Sequence, residues 1–182
     1  RFKNSDDSNK LKKEVLDKVE LQKLAETKCD REEVKKCFLF ACFTGLGIAE
    51  IRTLKWSNLN NDRLKINRIK TKTEINIPLS KTAKQIVGKR GESNEFVFDI
   101  NISDPTIAKH LKRWVKRAKL DKNISFYCGR HVYAVLLLTN GANLKTVSDC
   151  MGHVNTKHTI KYLNYVDSLK DKAMESMQII EL

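Results

Sequence analysis

Cys128-Gly129-Arg130-His131-Val132-Tyr133-Ala134-Val135-Leu136-Leu137-Leu138-Thr139-Asn140-Gly141, followed by Met151-Gly152-His153 and then Tyr162, is the stretch that decides how the rest of the chain is read. Arg130 opens a helix-length apolar run, and Asn140-Gly141 closes it. A helix N-terminus carries free amides and the positive end of the helix dipole, so a guanidinium there suits an anion. Gly152 permits a tight turn that would present His153, a potential hydrogen-bond donor to a phosphate oxygen. Tyr162, nine residues after His153, sits in a segment of helical period over residues 156–165.

Working outward, the chain reads as mainly helical. Asp17 is placed to cap a first helix with Val19, Leu21, Leu24 and Ala25 on one face. Asp30 with Glu33 resembles a capping box for a helix over residues 31–43, with Val34, Cys37, Phe38, Ala41 and Cys42 inward. A short helix over 48–54 follows the Thr44-Gly45 break, and residues 57–62 read as a turn. The period then changes to two: Leu64 and Ile66, then Ile75 and Ile77, flank Lys70-Thr71-Lys72-Thr73 as an antiparallel hairpin. Ser80 caps a helix to about Gly88, residues 95–100 form a short strand or extended piece, and Asp104-Pro105 begins a helix. Helices over 143–150 and 156–165 and a tail helix at about 168–181 complete a mainly α chain with a small antiparallel sheet, an α+β fold. Residues 1–14 are a polar lead-in and 15–182 one domain.

Composition narrows the partner. Thirty-five Lys+Arg against 22 Asp+Glu leave a net charge of +13 on 182 residues. Such an excess favours a polyanion, and the lack of a Trp/Phe-rich amphipathic anchor favours nucleic acid over a membrane surface. No apolar run is long enough to span a bilayer, and the charged start RFKNSDDSNKLKK has no secretory core. The five cysteines, Cys29, Cys37, Cys42, Cys128 and Cys150, contain no CxxC pair and read as reduced, packed thiols of a cytoplasmic protein, with no metal site.

Taken in order, these boxes resemble the catalytic domain of the tyrosine recombinases, or phage integrases. That family carries an H-x-x-R box, a leucine-rich helix, an L-G-H box and a tyrosine nine residues later. Phe43-Thr44-Gly45-Leu46-Gly47-Ile48-Ala49-Glu50-Ile51 is similar to its T-G-L-R-x-x-E-L box. Ile69-Lys70-Thr71-Lys72 with Ile77-Pro78-Leu79-Ser80 is similar to its lysine hairpin and the strand end after it. The resemblance runs over about residues 15–175. Two positions depart from it: Gly47 stands where the family has its first catalytic arginine, and Tyr127 where the H-x-x-R box has histidine.

The resemblance implies site-specific DNA cleavage and rejoining through a 3′-phosphotyrosyl intermediate, with neither metal nor cofactor. Guanidinium forks suit the non-bridging phosphate oxygens, where charge concentrates in the transition state. Tyr162 is the expected nucleophile, with Tyr165 its nearest rival, and Arg130 and His153 the expected phosphate ligands. Lys70 is the expected general acid, with Lys72 beside it as a DNA contact. Arg68, two residues before Lys70, is expected on the same strand face and to supply the guanidinium missing at Gly47. Arg52 is a poorer replacement, about 140° around a helix from Gly47. Glu50 is expected to orient an arginine or cap nearby amides. Tyr127 and His131 are candidate phosphate contacts, His131 chiefly orienting its neighbours, while His110 and His158 are expected in solvent. Lys109, Lys112, Arg113, Lys116 and Arg117 form a basic helix face for duplex phosphates.

The family's N-terminal DNA-binding domains are not visible in this sequence, which starts at Arg1 and reads as a fragment of a longer integrase of a mobile or conjugative element. The resemblance further implies double-stranded DNA as partner, a homo-tetramer on DNA joined through the C-terminal helix, a monomer without DNA, accessory DNA-bending proteins, and a nucleoid-associated cytoplasmic location. Two other readings stay open: a type IB topoisomerase-like nicking-closing enzyme, and a catalytically degraded DNA-binding module of the same fold.

Overall fold

The computed structural model describes residues 14–153, 155–163 and 166. The tail helix expected at 168–181, the rival Tyr165 and the lead-in before Glu14 lie outside the described residues. The helix α1 spans Lys18–Glu26, and Asp17 caps it, accepting from the Glu20 amide at 2.8 Å while Glu20 reaches back to the Asp17 amide at 2.9 Å. Leu21 and Leu24 face inward as expected, but Val19 is 76% exposed.

The helix α2, Glu32–Thr44, is the axis of the molecule. Val34, Cys37, Phe40 and Ala41 face one apolar cluster, shared with the sheet and the short helices. Phe38, Leu39 and Cys42 face a second, shared with α1 and the Trp114 helix. A helix apolar on two sides must lie between two cores, which is why CFLFACF carries so little polar interruption. Trp114 closes the second core edge-on to Phe38 (6.0 Å, 87°) and donates through its indole nitrogen to the Thr27 carbonyl at 2.9 Å. Asp30 does not cap α2; it pairs instead with Arg117 at 2.7 Å, the stronger attraction of a guanidinium for a carboxylate.

After α3, Ile48–Thr53, and a single 3-10 turn at Trp56–Asn58 comes a sheet of three antiparallel strands. These are β1 (Leu59–Asn60), β2 (Arg63–Asn67) and β3 (Glu74–Pro78), in that order. The hairpin register pairs Leu64 with Ile77 and Ile66 with Ile75, as the period-two pattern predicts. The segment 57–62 holds β1 as well as a turn, because Asn61 and Asp62 take positive φ values of 48° and 60° and fold β1 back on β2. In place of a strand at 95–100 there is one bridge, Lys55 to Phe96.

The remaining helices are α4 (Lys81–Val87, capped by Ser80), α5 (Asp104–Arg117), α6 (Cys128–Thr139), α7 (Leu144–Cys150) and the one-turn α8 (Lys157–Ile160). Of the helix expected over 156–165, the described residues hold one α-helical turn, Lys157–Ile160, and Tyr162 follows it. The crossing of α6 over α2 is close: a Cβ on Gly129 would lie 3.0 Å from the Ala41 Cβ. That approach sets Arg130 against the C-terminal end of α2. Among the described residues no helix is long and apolar enough to cross a membrane.

Candidate active site

Gly45 ends α2 with φ +69°, a conformation that side chains other than glycine rarely adopt, and a Cβ there would come within 2.5 Å of the Tyr133 ring. The turn leaves the Gly45 carbonyl pointing out of the helix end. At the end of α7 the Met151 carbonyl is likewise free of its helix. Both carbonyls accept from the same two arginines. Arg130 donates through Nη1 to Gly45 O at 2.8 Å and through Nη2 to Met151 O at 2.7 Å. Arg68 donates from Nη2 to both, at 3.0 Å each. Two guanidiniums that repel in water are thus held together by the negative ends of two helices.

Glu50 supplies the formal negative charge. Its Oε1 lies 3.6 Å from Arg68 Nη1 and accepts from the Ile69 amide at 3.4 Å, while Oε2 accepts from the Gly47 amide at 3.0 Å. Glu50 therefore both orients an arginine and caps amides. Arg68 and Arg130 are each 7% exposed. Burial pulls the Arg68 pKa down and Glu50 pushes it back up. Arg68 Nε is buried without a hydrogen-bond partner among the described residues, so the site holds one unspent donor. Arg52 is not part of this pair, being bound to Asp104 at 2.7 Å and the Ile102 carbonyl at 2.6 Å.

Arg68 and Lys70 do not share a face, contrary to the expectation from strand alternation. The strand β2 stops at Asn67; Arg68 continues the inward face of Leu64 and Ile66, while Lys70 is exposed at the tip. The chain turns over there, with the Lys72 amide donating to the Arg68 carbonyl at 2.9 Å and Lys72 at φ 57°. Lys70 and Lys72 thus stand on a projecting loop rooted at Arg68.

Tyr162 is 1% exposed, and its hydroxyl is 2.8 Å from His131 Nδ1. Burial pushes the phenol pKa up, so in this state Tyr162 keeps its proton. Tyr127, 47% exposed, sets its ring edge-on to His131 at 4.8 Å, one helical turn before it. Sequence reasoning treats His131 as an orienting neighbour and misses its bond to Tyr162. No local pattern points to that bond, which joins residues 31 apart in the chain.

His153 follows Gly152 in a turn, bonds through Nδ1 to Thr159 Oγ1 at 2.8 Å and meets the His158 ring at 5.9 Å. Burial, with His158, Lys161 and Arg68 adding to it, lowers its pKa to about 4. His158 is exposed as expected, whereas His110 is half-buried, its Nδ1 without a hydrogen-bond partner among the described residues. Lys161 stands over the Tyr162 ring at 5.3 Å, a cation that no motif in the sequence singles out.

The basic face of α5 is elsewhere. Lys109, Lys112 and Lys116 are exposed, and Arg113 and Arg117 pair with Asp30 at 3.9 and 2.7 Å, just before the N-terminus of α2. The arginine pair lies at the other end of that helix, about 20 Å away.

A family model, the phage integrase family, matches residues 14–168. A tyrosine recombinase of Pseudothermotoga lettingae is 30% identical over 169 residues, 87% of this chain and 58% of that protein. Tyrosine recombinase XerA of Saccharolobus solfataricus is 27% identical, over 91% of this chain and 58% of its own length. Among solved structures, the XerA recombinase crystal structure superposes with a TM-score of 0.72 at 18% identity, covering 92% of this chain and 64% of that one. The catalytic domain of bacteriophage HP1 integrase gives 0.63 at 19% identity, covering 89% and 94%. The chain spans a little over half the length of the first of these sequence relatives. With the family model matched over most of the described residues, and the helices and sheet laid out as in those structures, the chain belongs to the phage integrase family of tyrosine recombinases.

Proposed function

We propose that this chain cuts and rejoins double-stranded DNA at specific sites through a 3′-phosphotyrosyl intermediate. The observation that carries the reading is the arginine pair: Arg68 and Arg130 fixed on the Gly45 and Met151 carbonyls, with the Tyr162–His131 bond on the next residue of α6. Held by carbonyls, the two forks need no reorganisation when a phosphate arrives. Arg68 takes the part of the arginine absent at Gly47. Its Nε and the outward N–H groups of both forks meet the non-bridging oxygens, and His153 adds a donor.

In the forward step the Tyr162 oxygen bonds to phosphorus, and the bond from phosphorus to the 5′-oxygen breaks. Lys70, on the hairpin tip, gives the leaving oxygen its proton. Rejoining reverses both transfers, and the ester conserves the bond energy, so no nucleotide cofactor is consumed. Tyr162 is enclosed in the DNA-free chain, so the turn that carries it shifts when a phosphate enters. Lys72 and the lysines of α5 hold flanking phosphates.

Support for the substrate comes from relatives: lambda integrase has been solved as a dimer on a COC′ core site, and XerH on palindromic difH after cleavage. We infer that the whole protein serves a mobile element in the cytoplasm at the nucleoid, and works as a homo-tetramer on DNA. Tyr127 adds a hydroxyl to the phosphate site.

The test is a pool of nicked duplexes randomised around the nick, incubated with the chain and run on a denaturing gel. A covalent adduct that Tyr162→Phe abolishes is the expected outcome. Salt-sensitive binding with no adduct would instead mean a DNA-binding module without chemistry.

A further inference from the structure

We propose that His131 is the group that takes the phenolic proton of Tyr162 during strand cleavage. The inference rests on Tyr162 being the nucleophile and adds the identity of its base. Three observations converge on it. First, His131 Nδ1 touches the reacting atom itself, 2.8 Å from the Tyr162 hydroxyl, inside hydrogen-bond reach without a bridging water. With the phenol as donor, the imidazole carries its own proton on Nε2 and presents a lone pair to the oxygen. Second, the pair is withdrawn from solvent: His131 is 3% exposed and Tyr162 1%. In the DNA-free chain bulk water does not reach this oxygen, so the base that stands ready there is the imidazole, and a phenol is a poor nucleophile until its proton leaves.

Third, the other imidazole and the neighbouring phenol are ill-suited to the task. His153 spends its Nδ1 on Thr159 Oγ1 and sets its ring against His158. Tyr127 occupies the position at which an imidazole would be expected from the family's box, and a phenol accepts no proton at neutral pH. His131 stands four residues on from Tyr127, with the two rings 4.8 Å apart.

The step balances. As the Tyr162 oxygen bonds to phosphorus, its proton passes to His131 Nδ1, and the imidazolium formed lies beside the negative phosphoryl group. The bond to the 5′-oxygen breaks, and Lys70 protonates that oxygen. In rejoining, the 5′-hydroxyl returns its proton to Lys70, and His131 returns its proton to the tyrosine as the phosphotyrosyl ester opens.

The experiment measures single-turnover adduct formation by the 182-residue chain on the randomised nicked pool and on a second pool with sulfur replacing the bridging 5′-oxygen. A thiolate leaves without a proton, so the second pool bypasses the acid and not the base. His131→Asn keeps an acceptor near the Nδ1 position and cannot hold a proton. Its expected rate is lower by about 10²- to 10⁴-fold on both pools, whereas Lys70→Ala recovers on the sulfur pool. His131→Ala, with imidazole added to the buffer, regains adduct; this second variant covers the case in which His131→Asn is unstable. His131→Asn at the parental rate, or His131→Ala unmoved by imidazole, overturns the proposal and leaves His131 as a positioning residue. Failure of the nucleophile reading looks different: Tyr162→Phe would still form adduct. Absence of adduct from the unaltered chain overturns both.

Discussion

Arg68 occupies a position that no local rule would reserve for a cation: the inward-facing residue just past the end of a hairpin strand, next to a glycine turn and under two helix ends. It is tolerated because Glu50 and the carbonyls of Gly45 and Met151 offset both its charge and that of the neighbouring Arg130. Removing it leaves Glu50 buried with only backbone donors. For Arg68→Ala the expected loss is about 3 kcal/mol of stability in urea melts, the lower end for breaking a buried ion pair because the Gly47 and Ile69 amides remain. Adduct formation falls about 10²- to 10³-fold, the usual effect of losing one fixed donor to a transition-state oxyanion. Gly47 has φ −82°, which any residue adopts, and a Cβ there meets only the flexible end of Glu50 at 2.8 Å. Gly47→Arg placed in the Arg68→Ala background is therefore expected to restore about tenfold of the missing rate. Cleavage by Arg68→Ala at the parental rate would remove Arg68 from the chemistry.

At the scale of elements, the turn between α7 and α8 holds a histidine kept neutral by its surroundings. Folded His153 takes up a proton only near pH 4, against 6.5 for the free side chain. Between those values the unfolded chain binds more protons than the folded one. The stabilising contribution is thus complete above about pH 6.5 and is lost as the pH falls towards 4. Thermal melts of the chain should show Tm falling from pH 7 to pH 4, with a shallower fall in His153→Asn. An equal slope in the two would place the acid sensitivity in another group. The hairpin contrasts with this turn: its base is locked by the buried Arg68 and its tip is open, which suits a lysine that must reach a leaving oxygen and withdraw.

For the whole molecule, +13 charges on 182 residues make duplex binding steeply salt-dependent. Binding of a fluorescent random duplex should weaken at least about tenfold between 50 and 200 mM salt. Replacing Lys109, Lys112 and Lys116 together by alanine should flatten the log–log slope by about one for every phosphate that is no longer neutralised. Arg113 and Arg117, already paired with Asp30, should contribute less. A triple variant with the parental slope would make the α5 face a solvated surface. The geometry separates two tasks, since α5 and the arginine pair lie at opposite ends of α2.

Sequence determined what is local or periodic. Leu64, Ile66, Ile75 and Ile77 alternate, so the hairpin and its register could be read directly. Asp17, Ser80 and Asn143 cap the helices that they precede, because a cap acts within four residues of itself. The ordered boxes named the family for the same reason: they are short patterns along one chain. Tertiary structure decided the rest. Arg68 meets Arg130 because two carbonyls, at Gly45 and Met151, come together from distant parts of the chain. The strand ends one residue before Arg68, so Lys70 and Arg68 part where alternation alone would have kept them together. The Tyr162 segment wound into a single turn, and its hydroxyl came to His131. Periodicity tells which face of an element is apolar; which polar groups meet across the core depends on how closely helices such as α2 and α6 can pack, and there a single glycine at position 129 sets the distance.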